Sequence, residues 1–128
     1  MSENKDYVSR SDELGNIHIA EEVLAAVAAS AAMEVQGVSG LSANVGGDIA
    51  ELMSNKKNLS KGIQIHMDAE EKVVIELSVM MAYGNTIPEV GKNVQDSVKT
   101  AVESMTGLEV SAVNVAVVGI VFPPRQQQ

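Results

Sequence analysis

Residues 73–83, VVIELSVMMAY, decide the fold. Val73, Ile75, Leu77, Val79, Met81 and Tyr83 alternate with Val74, Glu76, Ser78, Met80 and Ala82, the period-two pattern of a strand that buries one face. Just upstream, Ile63, Ile65 and Met67 alternate with Gln64, His66 and Asp68. Residues 68–71, DAEE, then supply the turn of an antiparallel hairpin. Downstream the period changes. Thr86 and Glu89 have the spacing of a capping box, with Pro88 in the first turn. Ile87, Val90, Val94, Val98, Ala101, Val102 and Met105 follow at helical spacing, and Gly107 ends the helix. A last strand spans residues 108–122 and stops at Pro123 and Pro124; its alternation slips near Ala112 and Val113, which predicts a bulge.

Toward the N-terminus, residues 20–36 read as a helix. Glu21 and Glu22 sit in the first turn, where the helix dipole favours acids, and Gly37 is the stop. Val23, Val27, Ala31 and Val35, with Leu24 and Ala28, are the expected buried stripe. A short strand precedes it, with Ile17 and Ile19 on one side and Asn16 and His18 on the other. A second, short helix is expected from Asp48, with Ile49, Leu52 and Met53 on one face. Residues 1–14, with four acids and two bases, read as a flexible tail, and residues 124–128 as a C-terminal tail. The domain therefore spans 15–123.

The order is β-α-(short α)-β-β-α-β. Two main amphipathic helices cover one face of a sheet, so the fold expected is an α+β two-layer sandwich of ferredoxin-like type. Its four-stranded sheet is mainly antiparallel and both main helices lie on one face. The other face stays uncovered. By alternation it carries polar Asn16, His18, Gln64, His66, Asp68, Glu76, Ser78 and Asn114, beside an apolar band of Val74, Met80, Ala82, Ala116, Val118 and Ile120. An exposed apolar patch marks an association surface, so this band is the candidate for self-association or partner binding.

Composition narrows the chemistry. The 128 residues hold no Cys, which excludes disulfides, thiolate metal sites and a thiol nucleophile. A net charge of −8 argues against nucleic acid as a partner, and aromatics at 2% leave no stacking platform. No cofactor fingerprint is present: Gly46 and Gly47 lack the phosphate-loop spacing and its lysine. The polar N-terminus has no apolar segment of a secretory signal behind it. The apolar run 23–33 covers 11 residues where a span needs about 20, which argues against direct membrane insertion. A cytoplasmic location follows, with any membrane contact made through a partner.

Two constellations bear on chemistry. His18 and His66 are the only imidazoles, but in a ferredoxin-like order a strand separates them by roughly 9–10 Å, too far for one metal ion, so they read as solvated strand histidines. No nucleophile elbow and no active site can be identified. Gly37-Val38-Ser39-Gly40 matches in position the Gly-x-x-Gly loop of KH-type RNA binders. A nucleic-acid loop of Gly37 and Gly40 with the nearby Lys56, Lys57 and Lys61 is the alternative reading, weakened by the absence of basic residues within the loop itself.

Several blocks resemble a known family. These are residues 19–23 (IAEEV), 34–41 (EVQGVSGL), 57–63 (KNLSKGI), 83–90 (YGNTIPEV) with 93–95 (NVQ), 105–110 (MTGLEV), 113–115 (VNV) and 119–123 (GIVFP). In this order they resemble the bacterial alkaline shock protein family, also called the envelope stress response or general stress protein family. The resemblance implies a small cytoplasmic protein without enzymatic activity or catalytic residues, of a kind that self-associates and in some members is held at the membrane by a small membrane-anchored partner. The expectation is a non-enzymatic scaffold or adaptor, a homo-oligomer, that supports cell-envelope homeostasis and stress response.

Overall fold

The structure, a computed structural model, describes residues 7–41 and 62–123. The short helix expected from Asp48, the lysines Lys56, Lys57 and Lys61, and the C-terminal tail lie outside the described residues. The elements in chain order are β1 (Tyr7–Asp12), β2 (Gly15–Ala20), α1 (Glu21–Met33), β3 (Val38–Leu41), β4 (Ile63–Met67), β5 (Val73–Ala82), α2 (Ile87–Thr106) and β6 (Val110–Val121).

The fold is α+β, with a mainly antiparallel four-stranded sheet, a separate two-stranded sheet and two helices. β5 is the centre of the larger sheet. β4 pairs antiparallel with its first half (Ile63↔Leu77 to Met67↔Val73), and β3 pairs antiparallel with its second half (Val38↔Met81 to Leu41↔Val79). β3 and β4 thus share one side of β5, end to end. β6 runs parallel along the other side for the full length of β5, and α2 forms the crossover between them.

Alternation in β5 sorts its side chains cleanly. Val73, Ile75, Leu77, Val79 and Met81 are almost wholly buried and pack in one core with Val90, Val94, Val98 and Val102 of α2 and with Leu24, Ala28 and Ala32 of α1. Both helices therefore lie on this face. The valines recur every fourth residue along α2, which presents them as a single stripe. α2 ends on Gly107, whose φ of 74° is the left-handed conformation that closes a helix.

Five details differ from the sequence reading. The segment read as a flexible tail contains β1, which pairs with β2 from Tyr7↔Ala20 to Asp12↔Gly15. Val8 buries into the core, and the Arg10 guanidinium donates to the Gly107 carbonyl at 3.1 Å, so a polar segment is ordered by one apolar anchor and one long reach. Second, β2 pairs with β1 rather than joining the main sheet, and β3 takes the fourth place instead. Third, α1 buries Leu24, Ala25, Ala28, Ala29, Ala31 and Ala32, while Val23 is 47% exposed. The small alanine face allows close backbone approach, which displaces the larger valine outward. Ser97 Oγ, donating to the Ala31 carbonyl at 3.2 Å, marks that proximity. Fourth, Thr86 is the N-cap residue of α2 but makes no side-chain capping bond. Fifth, β6 carries two register shifts, at Ser111 and at Val118, where one bulge was expected near Ala112.

Candidate functional site

The face of the main sheet opposite the helices has no element packed on it among the described residues. Strand register assigns its rows. Gln64, Glu76 and Asn114 lie side by side across β4, β5 and β6, with Ser78 beside Ala116 in the adjoining row. They line a shallow depression of about 550 Å³. This is the polar half of the face that the sequence reading anticipated, without His18 and Asn16, which sit on the separate β1–β2 hairpin.

The apolar half lies toward the C-terminal ends of β5 and β6. Met80 and Ala82 are half-buried and Ala116 is exposed. Val118 is the extra residue at the second register shift and is 53% exposed. Met80 is flanked in register by Gly40 of β3 and Gly119 of β6. No neighbouring side chain rises on either side of it, and its own thioether folds over Gly119.

Two of the nominated residues are placed differently. Val74 is buried, held between His66 of β4 and Ala112 of β6 in adjacent register positions. Ile120 pairs with Met81 and packs against the core. The cause is the bulge at Val118: one inserted residue flips the parity of everything after it. The same flip places Val121 beside Ala82, with Val121 41% exposed. Next to this pair Tyr83 and Phe122 stack, centroids 4.8 Å apart, and both rings are exposed. Sequence reasoning missed Val121, Tyr83 and Phe122. A parallel register for β6, with two bulges counted, would have found the first.

The other nominated chemistry does not assemble. Among the described residues no cluster of three or more His, Asp, Glu or Cys could hold a metal ion. His18 Nδ1 is 2.7 Å from Ser9 Oγ on the hairpin, whereas His66 lies in the main sheet. Asp68 serves the fold instead. Its carboxylate accepts the backbone N–H groups of Glu70 and Lys72 at 2.8 and 2.9 Å and the Ser111 hydroxyl at 2.9 Å. The Lys72 N–H and the Ser111 hydroxyl are the leading causes that hold its pKa below the ordinary carboxylate range. The first bulge of β6 is thereby tied to the β4–β5 turn. Lys72 lies between Glu109 at 3.3 Å and Glu70 at 3.4 Å, which raises its pKa.

The Gly-x-x-Gly segment is not an open loop. Gly37, at φ 103°, turns the chain out of α1 and its carbonyl accepts from the Ala82 N–H at 2.8 Å. Gly40 is a strand residue paired with Met80. A Cβ on Gly37 would stand 2.8 Å from Val90 Cγ2, so this glycine answers to packing against α2. A groove of about 880 Å³ also runs between the outer sides of α1 and α2, bordered by Ala26, Val27, Asp96, Ala101 and Met105. None of the side chains bordering it is a histidine or cysteine.

Comparison with known proteins covers most of the chain. The model of the alkaline shock protein 23 family, described as having a cell envelope-related function, matches residues 9–122. The uncharacterized protein YqhY of Bacillus subtilis strain 168 is 31% identical over 115 residues, 90% of this chain and 84% of that protein. The uncharacterized protein YloU of the same organism is 35% identical over 108 residues, 83% of this chain and 88% of that protein. Among solved structures, a MamM CTD variant aligns with 77% of this chain and 94% of its own at 13% identity and a TM-score of 0.47, a likeness too slight to carry weight.

Proposed function

The chain belongs to the alkaline shock protein 23 family, with its cell envelope-related function, and from that premise we propose that it is a non-enzymatic cytoplasmic scaffold that self-associates through the open sheet face. The observation that carries this reading is the apolar band formed by Met80, Ala82, Ala116, Val118 and Val121, ending at the Tyr83–Phe122 stack. A long methionine between two glycines is a mobile, polarizable contact surface, suited to packing against another protein. The partner favoured is a second copy. The band itself carries no charge, so two copies can meet there despite the −8 carried by the whole chain.

Among the described residues no helix is long and apolar enough to cross a membrane. In this reading the assembled scaffold reaches the envelope through a small membrane-anchored protein and supports envelope homeostasis from the cytoplasmic side.

Light scattering on the wild type, Met80→Glu and Val118→Asp tests the reading. It expects a wild-type oligomer that shrinks in both variants while their circular dichroism is retained. A folded Met80→Glu variant with an oligomer of wild-type size removes the sheet face from the account.

A further inference from the structure

The sheet has two unequal edges. On one side, β3 and β4 are short strands of four and five residues placed end to end. On the other lies β6, twelve residues long, VSAVNVAVVGIV, without a charge or a proline. Among the described residues β6 pairs only with β5, so its outer side presents unpaired main-chain groups. A long, uncharged, β-branched edge is the kind of strand that recruits another strand.

The first third of that edge is covered. The Glu103 carboxylate accepts the Val110 N–H at 2.9 Å, Lys99 Nζ donates to the Val110 carbonyl at 3.1 Å, and Gln95 Nε2 donates to the Val113 carbonyl at 2.9 Å. Three side chains of α2 thus stand in for a neighbouring strand as far as Val113. Beyond it no such cover is present among the described residues. Alternation, with the shift at Val118, places the N–H and C=O of Val115, Val117 and Ile120 on the same outer side as those of Val110 and Val113.

We propose that the outer edge of β6, over residues 115–121, pairs antiparallel with the same edge of a second copy, so that two sheets join into one. The occupant is a second copy for two reasons. Antiparallel self-pairing sets apolar residues against apolar ones and opposes no like charges, and a two-fold axis satisfies both edges at once. It also brings the two open faces into one continuous surface, so the apolar bands of Met80, Ala82, Ala116 and Val121 adjoin across the join. The proposal rests on the reading that the chain self-associates and adds to the contact through the open face a second one, at the sheet edge.

Amide hydrogen exchange on the wild-type protein at low and high concentration tests it, with Val117→Pro as the variant. Proline at 117 removes one outward N–H and leaves the open face unchanged. The expected result is concentration-dependent protection, roughly tenfold or more, at the amides of Val115, Val117 and Ile120. In Val117→Pro, the protection at Val115 and Ile120 is lost. Self-association with these amides in fast exchange at both concentrations overturns the edge and leaves the self-association reading standing. A wild-type chain that sediments as a monomer throughout overturns both. Should Val117→Pro fail to fold, the wild-type exchange measurement alone decides.

Discussion

The Met80 side chain lies across Gly119. A Cβ on residue 119 would stand 2.7 Å from Met80 Cε and 2.8 Å from its Sδ. The two residues are register partners on β5 and β6, just past the bulge at Val118. The glycine is where the methionine rests, and the pair forms the middle of the apolar band on the open face. Contact by a partner requires only that a flexible thioether rotate.

The glycines separate by what they press against. Gly119→Ala displaces the far end of a flexible side chain, so a stability loss below about 1 kcal/mol is expected. Gly37→Ala meets both Val90 methyls and the Asn85 side chain at a φ of 103°, and a loss of about 1–3 kcal/mol is expected. Urea denaturation of both variants checks the contrast; equal losses would contradict this packing.

Leu24 and Val23 are neighbours on α1 with opposite environments, 0% and 47% exposed. Leu24→Ala should cost about 2–5 kcal/mol by leaving a cavity among the core valines. Val23→Ala should stay within about 1 kcal/mol. Thermal unfolding of the two variants reports directly which face of α1 is inside.

Acid should loosen both anchors at the start of β6. Asp68 and Glu103 have pKa values lowered in the folded chain. For Asp68 the leading causes are the Lys72 N–H and Ser111 hydroxyl, and for Glu103 they are Lys99 and the Val110 N–H. A carboxyl whose folded value lies below its unfolded one stabilises above the ordinary range of about 4 and loses that contribution as pH falls through the folded value. Stability should therefore hold near neutrality and decline below about pH 4. Asp68→Asn should lower stability at pH 7 and flatten the decline; a pH profile parallel to wild type would contradict the assignment.

Much of this was legible in the residues because the main periodicities are unbroken. The alternation from Val73 to Met81 placed the central strand and its buried set, though Tyr83 lies past the strand's end and is exposed, and the four-residue spacing from Val90 to Val102 placed α2. The misplacements share a cause. Bulges are invisible to simple alternation, so Ile120 was assigned to the open face when the extra residue at Val118 turns it to the core. The pairing of Gly40 with Met80 is non-local and could not be read from either partner alone, whereas β1, joined to β2 by a two-residue turn, escaped because its residues are mostly polar. Val74 alternates correctly yet is buried, because its cover comes from His66 and Ala112 on adjacent strands. The alanines of α1 satisfy more than one helical stripe, and only packing chose between Val23 and the smaller face.

Single-cysteine crosslinking tests the central claim most directly, since the chain has no native Cys to confuse it. Ala116→Cys places one thiol on the open face, and Lys92→Cys places one on the exposed helical side. Under mild oxidation at a concentration where the wild type associates, Ala116→Cys is predicted to form covalent dimers in high yield and Lys92→Cys to stay monomeric. Equal yields from the two, or none at position 116 in a folded, associated protein, would contradict assembly through the open sheet face.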